Sequence, residues 1–402
     1  MRPSAFILVT RTRHGSEIMT RYENEMLDLP LVAGTALLCI HIVSLALAWR
    51  KCRARNKDSP LKPMVSLVRP VCGLEPHIED NLRSSFTQDY PKYEVIFCAA
   101  CPNDAAVVLV QDMMNAYPHI PARLLVGEQR LSQNPKLNNM AKAWLDSKGQ
   151  LVVFSESNLL LTKHYCPSVA AAFAANETMV VSSPPIGDFA ENFFGEVECA
   201  MLNTHAARWQ FAASQLEINF AQGKTLAFRR SAFDGGLMER LAAEPAEDAA
   251  ATKLVRSMGG ALNVLAPPFT HPVGARSLRS FWSRHVRWAR LRRVTFPTVF
   301  SLEIGCGMFP AILAFAMSST LSSIPLPLTI IVASVLWYGA EYAFARSLGW
   351  RCNRWFVLAC LVRDAFLPAF YVAAWVSARF EWRGHAMDST AKGISNIKGH
   401  CG

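Results

Sequence analysis

An α/β domain, with a mostly parallel sheet, helices on both faces and transmembrane helices at both ends, is predicted by three features. Apolar, β-rich runs alternate with helical stretches between residues 58 and 275. Leu31–Ala48, near the start, carries no charged residue, only His41. Ile304–Ala340, near the end, contains no Asp, Glu, Lys, Arg or His. Composition agrees. The 402 residues are 51% hydrophobic. They are 18% charged, where about 25% is usual. Mean hydropathy is +0.16. That excludes a fully soluble or disordered chain, and the polar stretches of residues 58–300 exclude a polytopic transporter. The length is ample for a sizeable core.

With Leu29 and Trp49, the first apolar run spans about 20 positions, enough to cross a bilayer. Arg50, Lys51, Arg53, Arg55 and Lys57 follow it, while Glu23, Glu25 and Asp28 precede it. The positive-inside rule puts the following residues in the cytoplasm. A signal peptide would carry its positive charges first and start earlier. Ser318–Pro327 divides the second apolar block into two spans, at about 303–322 and 327–346. A third segment, Trp355–Val376, is interrupted by Arg363 and Asp364, read as a mutually neutralised pair at the interface. The expected organisation is an N-terminal extension (1–28), a transmembrane helix (29–50), a cytoplasmic α/β domain (58–275) and a basic interface helix (276–298). A membrane segment of two to three helices (303–378) and a polar tail (379–402) follow.

Within the α/β domain, Val65–Val71, Tyr93–Ala100, Ala122–Val126 and Gln150–Ser155 read as strands. Leu82–Gln88, Asp104–Ala116 and Lys136–Ser147 read as the helices between them. Ligands of such sheets sit at the carboxyl ends of the strands, so the loops after Val71, Ala100 and Ser155 are the ones to watch. None carries a GxGxxG or GxxxxGK[ST] sequence, which weakens dinucleotide and P-loop readings. The eleven cysteines are scattered and odd in number, and Cys98 and Cys101 form one isolated CxxC. This fits a reducing compartment better than a disulfide framework or a zinc site.

Three further features point to chemistry. Asn134-Pro-Lys-Leu-Asn-Asn139 leads into a helix with one cation and three amides, as an anion cradle or a simple cap. Glu247-Asp248 opens another helix, as capping carboxylates or as a base held ionised by the dipole. Arg276–Arg293 contains seven arginines and no acid, interleaved with Trp282 and Trp288. Such a helix suits a membrane interface or recognition of a diphosphate. A nucleic-acid patch is disfavoured by its position beside a membrane span.

These residues carry a resemblance. VSLVRPVCGLEP (65–76), DYPKYEV (89–95), NPKLNN (134–139), AEDAAATKLVRSMGG (246–260) and SRHVRWARLR (283–292) occur in order. With them the chain resembles the ceramide glucosyltransferase family over roughly residues 30–385. That family is glycosyltransferase family 21, with the GT-A nucleotide-diphospho-sugar transferase fold, and the bacterial hopanoid-associated glycosyltransferases are close to it. The resemblance implies Asp248 as the catalytic base. It implies Lys136, Asn138, Asp104, Arg284, Arg287 and Trp288 as donor-binding residues, the last three through the RxxRW motif Arg284-His285-Val286-Arg287-Trp288. Two positions depart from the family pattern. Cys101 stands where the family has a nucleotide-contacting aspartate, leaving Asp104 as the nearest carboxylate. Glu156-Ser157-Asn158 replaces the family's metal-associated Asp motif, so Glu156 and Asn158 become the candidate ligands for Mg²⁺ or Mn²⁺. The implied activity is an inverting, membrane-bound transfer of a hexose, glucose first, from a UDP-sugar to a lipid hydroxyl, ceramide first. A hopanoid or other lipid acceptor is the alternative, and an impaired lipid- or nucleotide-binding homologue the second. The implied setting is a multi-pass protein, such as one of a bacterial inner membrane, with its catalytic domain on the cytoplasmic side.

Overall fold

The β-branched run VSLVRPV forms β1 (Val65–Val71), whose residues are almost all buried. β2 (Tyr93–Ala99), β3 (Ala122–Val126) and β4 (Leu151–Ser155) follow at the sequence-predicted positions, within a residue at their ends. Continuous burial along β1, β2 and β4 is the mark of strands covered on both faces. The remaining strands of the domain are β5 (Thr178–Ser183), β6 (Pro185–Ala190), β7 (Thr225–Arg229), β8 (Ala261–Val264) and β9 (Phe269–Gly274). This computed structural model describes residues 13–54, 62–233, 236–321, 325–382 and 385–389. The first twelve residues, Arg55, Lys57 and the tail beyond residue 389 lie outside them.

The main sheet has seven strands in the order β3-β2-β1-β4-β7-β5-β8. It is mostly parallel, with one departure: β7 runs antiparallel to both β4 and β5. Sequence reading misses this because β7 is reached through a long helical excursion and not through a βαβ crossover. β6 and β9 form a separate parallel pair. One face of the main sheet packs Leu67, Val95, Phe97 and Val153 against Val110, Tyr165 and Val169 of the flanking helices. On the other face, Phe228 meets Trp144, Phe154 and Phe233 edge to face. The expected helix at Leu82–Gln88 is instead Ile78–Arg83 followed by a 3₁₀ turn, Ser84–Phe86.

Six of the seven arginines, all but Arg276, lie on the helix Leu278–Thr295, started by a reciprocal Ser277–Ser280 capping box. Its Phe281, His285 and Ala289, spaced four apart, are buried. Phe281 and Trp282 pack on Phe366 and Phe370 of the helix Phe356–Val376.

Among the described residues, three helices are long and apolar enough to cross a membrane: Leu29–Arg53, Leu326–Ser347 and Phe356–Val376. The span expected at about 303–322 is not one helix. A 3₁₀ turn at Glu303–Gly305 precedes an α-helix of only 14 residues, Met308–Leu321. Gly307, at φ 90°, breaks the chain between them.

The chain divides into two compact units, one of residues 1–42 with 305–340, the other of 43–304 with 341–402. In the first, the His41 ring stacks on Trp337 at 3.7 Å. In the second, Arg363 is paired with Asp364, as its sequence position suggests, and also bonds both oxygens of Glu341 at 3.0 Å. All three side chains are buried. The expected pair is therefore a triad, because a helix distant in sequence supplies the second carboxylate.

Candidate active site

The antiparallel pairing of β7 with β4 builds the site. Ser155, the last residue of β4, lies opposite Thr225, the first of β7. The next residue outward on each chain is therefore Glu156 or Lys224, and the Glu156 N–H donates to the Lys224 carbonyl at 3.1 Å. Their side chains meet too, with Lys224 Nζ 2.6 Å from Glu156 Oε2. Lys224 also donates to Asn158 Oδ1 at 2.7 Å.

Lys136 approaches from the first turn of the helix Pro135–Asp146. Asn134 caps that helix, accepting from the N–H groups of Lys136 and Leu137, and Pro135 takes a position where no N–H is needed. The Lys136 ammonium donates to Glu156 Oε1 at 2.8 Å and to the Gly223 carbonyl at 2.6 Å. Its third neighbour is Glu247 Oε1, at 2.7 Å. Asn134 completes the ring by donating to Glu247 Oε2 at 2.7 Å. Two lysines thus balance two glutamates in a nearly closed network. Burial pushes the Glu156 carboxyl up, but Lys136 and Lys224 outweigh it and hold the group well below the usual carboxylate range. Burial likewise lowers Lys136, yet Glu156 and Glu247 leave it raised. Lys224 ends lowered, by burial and then by Arg284, against the pull of Glu156.

Asp248 sits beside this network, in the first turn of the helix Glu247–Ser257. Burial, reinforced by the adjacent Glu247, raises its carboxyl to about 6. Lys136 and the backbone N–H groups of Ala249 and Gly223 oppose that rise. Gly223 fits between the charged groups. A Cβ there would lie 2.7 Å from Glu247 Oε1, 3.0 Å from Lys136 Nζ and 3.5 Å from Asp248 Oδ2.

A second charged cluster comes from the basic helix. Glu198, fully buried, accepts from His285 at 2.9 Å and from Arg284 at 3.3 Å. Burial raises its carboxyl, but His285 and Arg284 hold it far below the ordinary range. Arg284 lowers Lys224 and Arg276 electrostatically, and with burial and Lys224 it holds His271 well below its ordinary value. Trp288 meets His285 edge to face at 5.1 Å and packs on the cluster of Cys199, Leu202 and Val273. Arg287 is half-buried on the same helix.

Two expected donor-binding residues have their side chains engaged by the protein. Asn138 Oδ1 accepts from Leu131 and Ser132 N–H, and its amide donates to the Ser132 carbonyl, which folds the loop before the helix. Asp104 caps the helix Ala105–Ala116 and accepts from Gly73 N–H, tying the loop after β1 to the loop after β2. Gly73 makes that turn at φ 66°.

Three site residues escaped sequence reading: Lys224, Arg69 and His271. Arg69, fully buried in β1, donates to the carbonyls of Asn81, Ser157 and Leu159 and so fixes the Glu156–Asn158 loop. An arginine inside an apolar strand was the available signal. His271 Nδ1 lies 2.7 Å from the Asn158 carbonyl, and Nε2 is buried with no hydrogen-bond partner. Glu156 and Asn158, the expected metal ligands, do not fit a divalent ion. Both Glu156 oxygens and Asn158 Oδ1 already accept from ammonium groups. No group of three His, Cys, Asp or Glu side chains suited to a metal occurs among the described residues.

A mixed sheet with charged loops gathered at the carboxyl ends of its parallel strands is the arrangement of the GT-A fold. The same fold is seen in a mannosyltransferase from Pyrobaculum calidifontis, solved with GDP-Man and Mn²⁺. The two share a TM-score of 0.51 and 18% identity, over 84% of this chain and 99% of that one. The chain belongs to glycosyl transferase family 21, whose model matches residues 31–394, and it is a hexosyltransferase. It is 25% identical to ceramide glucosyltransferase 3 of Caenorhabditis elegans, over 87% of this chain and 78% of that one. It is 24% identical to ceramide glucosyltransferase 1 of the same organism, over 87% and 77%.

Proposed function

We propose that the protein is a membrane-bound, inverting glycosyltransferase that moves glucose from UDP-glucose to a ceramide hydroxyl. The observation that carries this reading is Asp248, a half-buried carboxylate raised to about 6 beside the Lys136–Glu156–Lys224 network. The two similar worm proteins, both ceramide glucosyltransferases, support the choice of sugar and acceptor. Asp248 accepts the proton of the acceptor hydroxyl as its oxygen attacks the anomeric carbon from the face opposite the diphosphate. The bond from that carbon to the diphosphate oxygen breaks, and its electron pair leaves with UDP. Lys224 and Arg284 supply positive charge on the leaving-group side. Three apolar helices keep the domain at the bilayer, where a long-chain acceptor resides. Arg50, Lys51 and Arg53, in the last turn of the first, support a cytoplasmic domain in a multi-pass protein.

Membranes containing the protein, incubated with UDP-glucose and ceramide, should yield glucosylceramide by mass spectrometry. Asp248→Asn should lower the yield by roughly 10²- to 10⁴-fold, the usual worth of a general base. Undiminished activity in that variant, or no glycolipid from wild type, would sink the reading.

A further inference from the structure

We propose that the Lys224 ammonium stands in for a divalent cation here, so that nucleotide binding and sugar transfer proceed without metal. This rests on the function proposed above and names the counter-charge of its leaving group.

The carboxylate and amide oxygens best placed to take a metal ion are those of Glu156 and Asn158. Lys224 Nζ lies 2.6 Å from Glu156 Oε2 and 2.7 Å from Asn158 Oδ1, which is the bridging position a cation would occupy between them. The other Glu156 oxygen is bound by Lys136. A metal ion entering on Glu156 would break both pairs; Lys136 would keep Glu247, but the buried Lys224 ammonium would lose its carboxylate. The loop is also braced against such a shift, by Arg69 on the carbonyls of Ser157 and Leu159 and by His271 on that of Asn158.

Proton counting separates the two lysines. An ammonium has three donors. Lys136 directs its three at Glu156, Glu247 and the Gly223 carbonyl, so it is committed to the protein. Lys224 has two protein acceptors, Glu156 and Asn158, and one donor left for a phosphate oxygen. Its side chain keeps 10% exposure. Arg284, which lowers Lys224 electrostatically, uses one of its several N–H groups on Glu198 and is a second cation close enough to be felt at Lys224. When the anomeric carbon–oxygen bond breaks, the electron pair goes to the diphosphate, the hydroxyl proton goes to Asp248, and Lys224 meets the new negative charge. No further reactant is needed for the balance.

Electron paramagnetic resonance of Mn²⁺ tests this without turnover. Purified full-length protein in detergent, titrated with Mn²⁺ in the presence of UDP, should leave the free-Mn²⁺ signal the same as UDP alone does. In parallel, glucosylceramide formation in excess EDTA should stay within about twofold of that with Mn²⁺, a span far below the effect of one lost oxyanion contact. Lys224→Met should lose roughly 10²-fold or more, with no recovery on adding Mn²⁺, while Lys224→Arg, keeping the charge, should retain most of the activity. Stoichiometric Mn²⁺ binding by wild type, activity abolished by EDTA and restored by Mn²⁺, or an active Lys224→Met would overturn the proposal. Stoichiometric Mn²⁺ binding counts against Lys224 whatever the turnover. A wild type that makes no glycolipid with or without metal counts against the parent reading.

Discussion

The half-buried Asp248 carboxyl is raised to about 6, and as the proposed base it would set the pH behaviour of transfer. A base works only when deprotonated, and the raised value means it protonates nearer neutrality than an ordinary aspartate. kcat/KM should therefore be flat around pH 7 to 8 and fall on the acid side with an apparent pKa of about 6. A pH–rate profile flat down to pH 5 would show that another group takes the proton. Asp248 and Lys136 are legible as candidates because each sits in a short contiguous motif at a helix start. Lys224 and His271 are not, since no local pattern distinguishes them, and Arg69 is marked only by being a charge inside an apolar strand. Strand pairing and loop packing bring them to Glu156 and Asn158.

The strand and helix runs of the α/β domain follow from hydrophobic patterning, and their boundaries hold within a residue for β1 to β4. Two features escape that reading. β7 reverses direction because the chain re-enters the sheet from the side of the site, and this antiparallel insertion is what sets Lys224 against Glu156. The span expected at about 303–322 is interrupted, because Gly305 and Gly307 break a run whose composition alone looks continuous. The helix Pro135–Asp146 shows how an element start and a site are one design. Asn134 caps the helix with its carbonyl oxygen and holds Glu247 with its amide. Asn134→Ala should cost about 1 kcal/mol for the cap, read by chemical denaturation. It should also lower turnover, because Glu247 loses its second partner. A stability loss with unchanged turnover would separate the cap from the site.

Across the whole molecule, the low charged fraction belongs to the apolar segments and the basic excess to their flanks. Where charge does enter an apolar segment, it is fully paired. Arg363 binds Asp364 and Glu341 with all three buried, so Arg363→Met should remove the cation shared by two buried carboxylates and cost about 3–5 kcal/mol. A fall in the thermal midpoint of purified protein reports it, and adding Glu341→Gln should recover part of the loss. The helix that carries RxxRW packs Phe281 and Trp282 on the helix Phe356–Val376 and pairs Arg284 with the buried Glu198. The central claim is a single displacement with Asp248 as base, which turns the anomeric centre over once. Proton NMR of the glycolipid formed from UDP-α-glucose measures that directly. A β-linked product is the predicted result, and an α-linked product would contradict it.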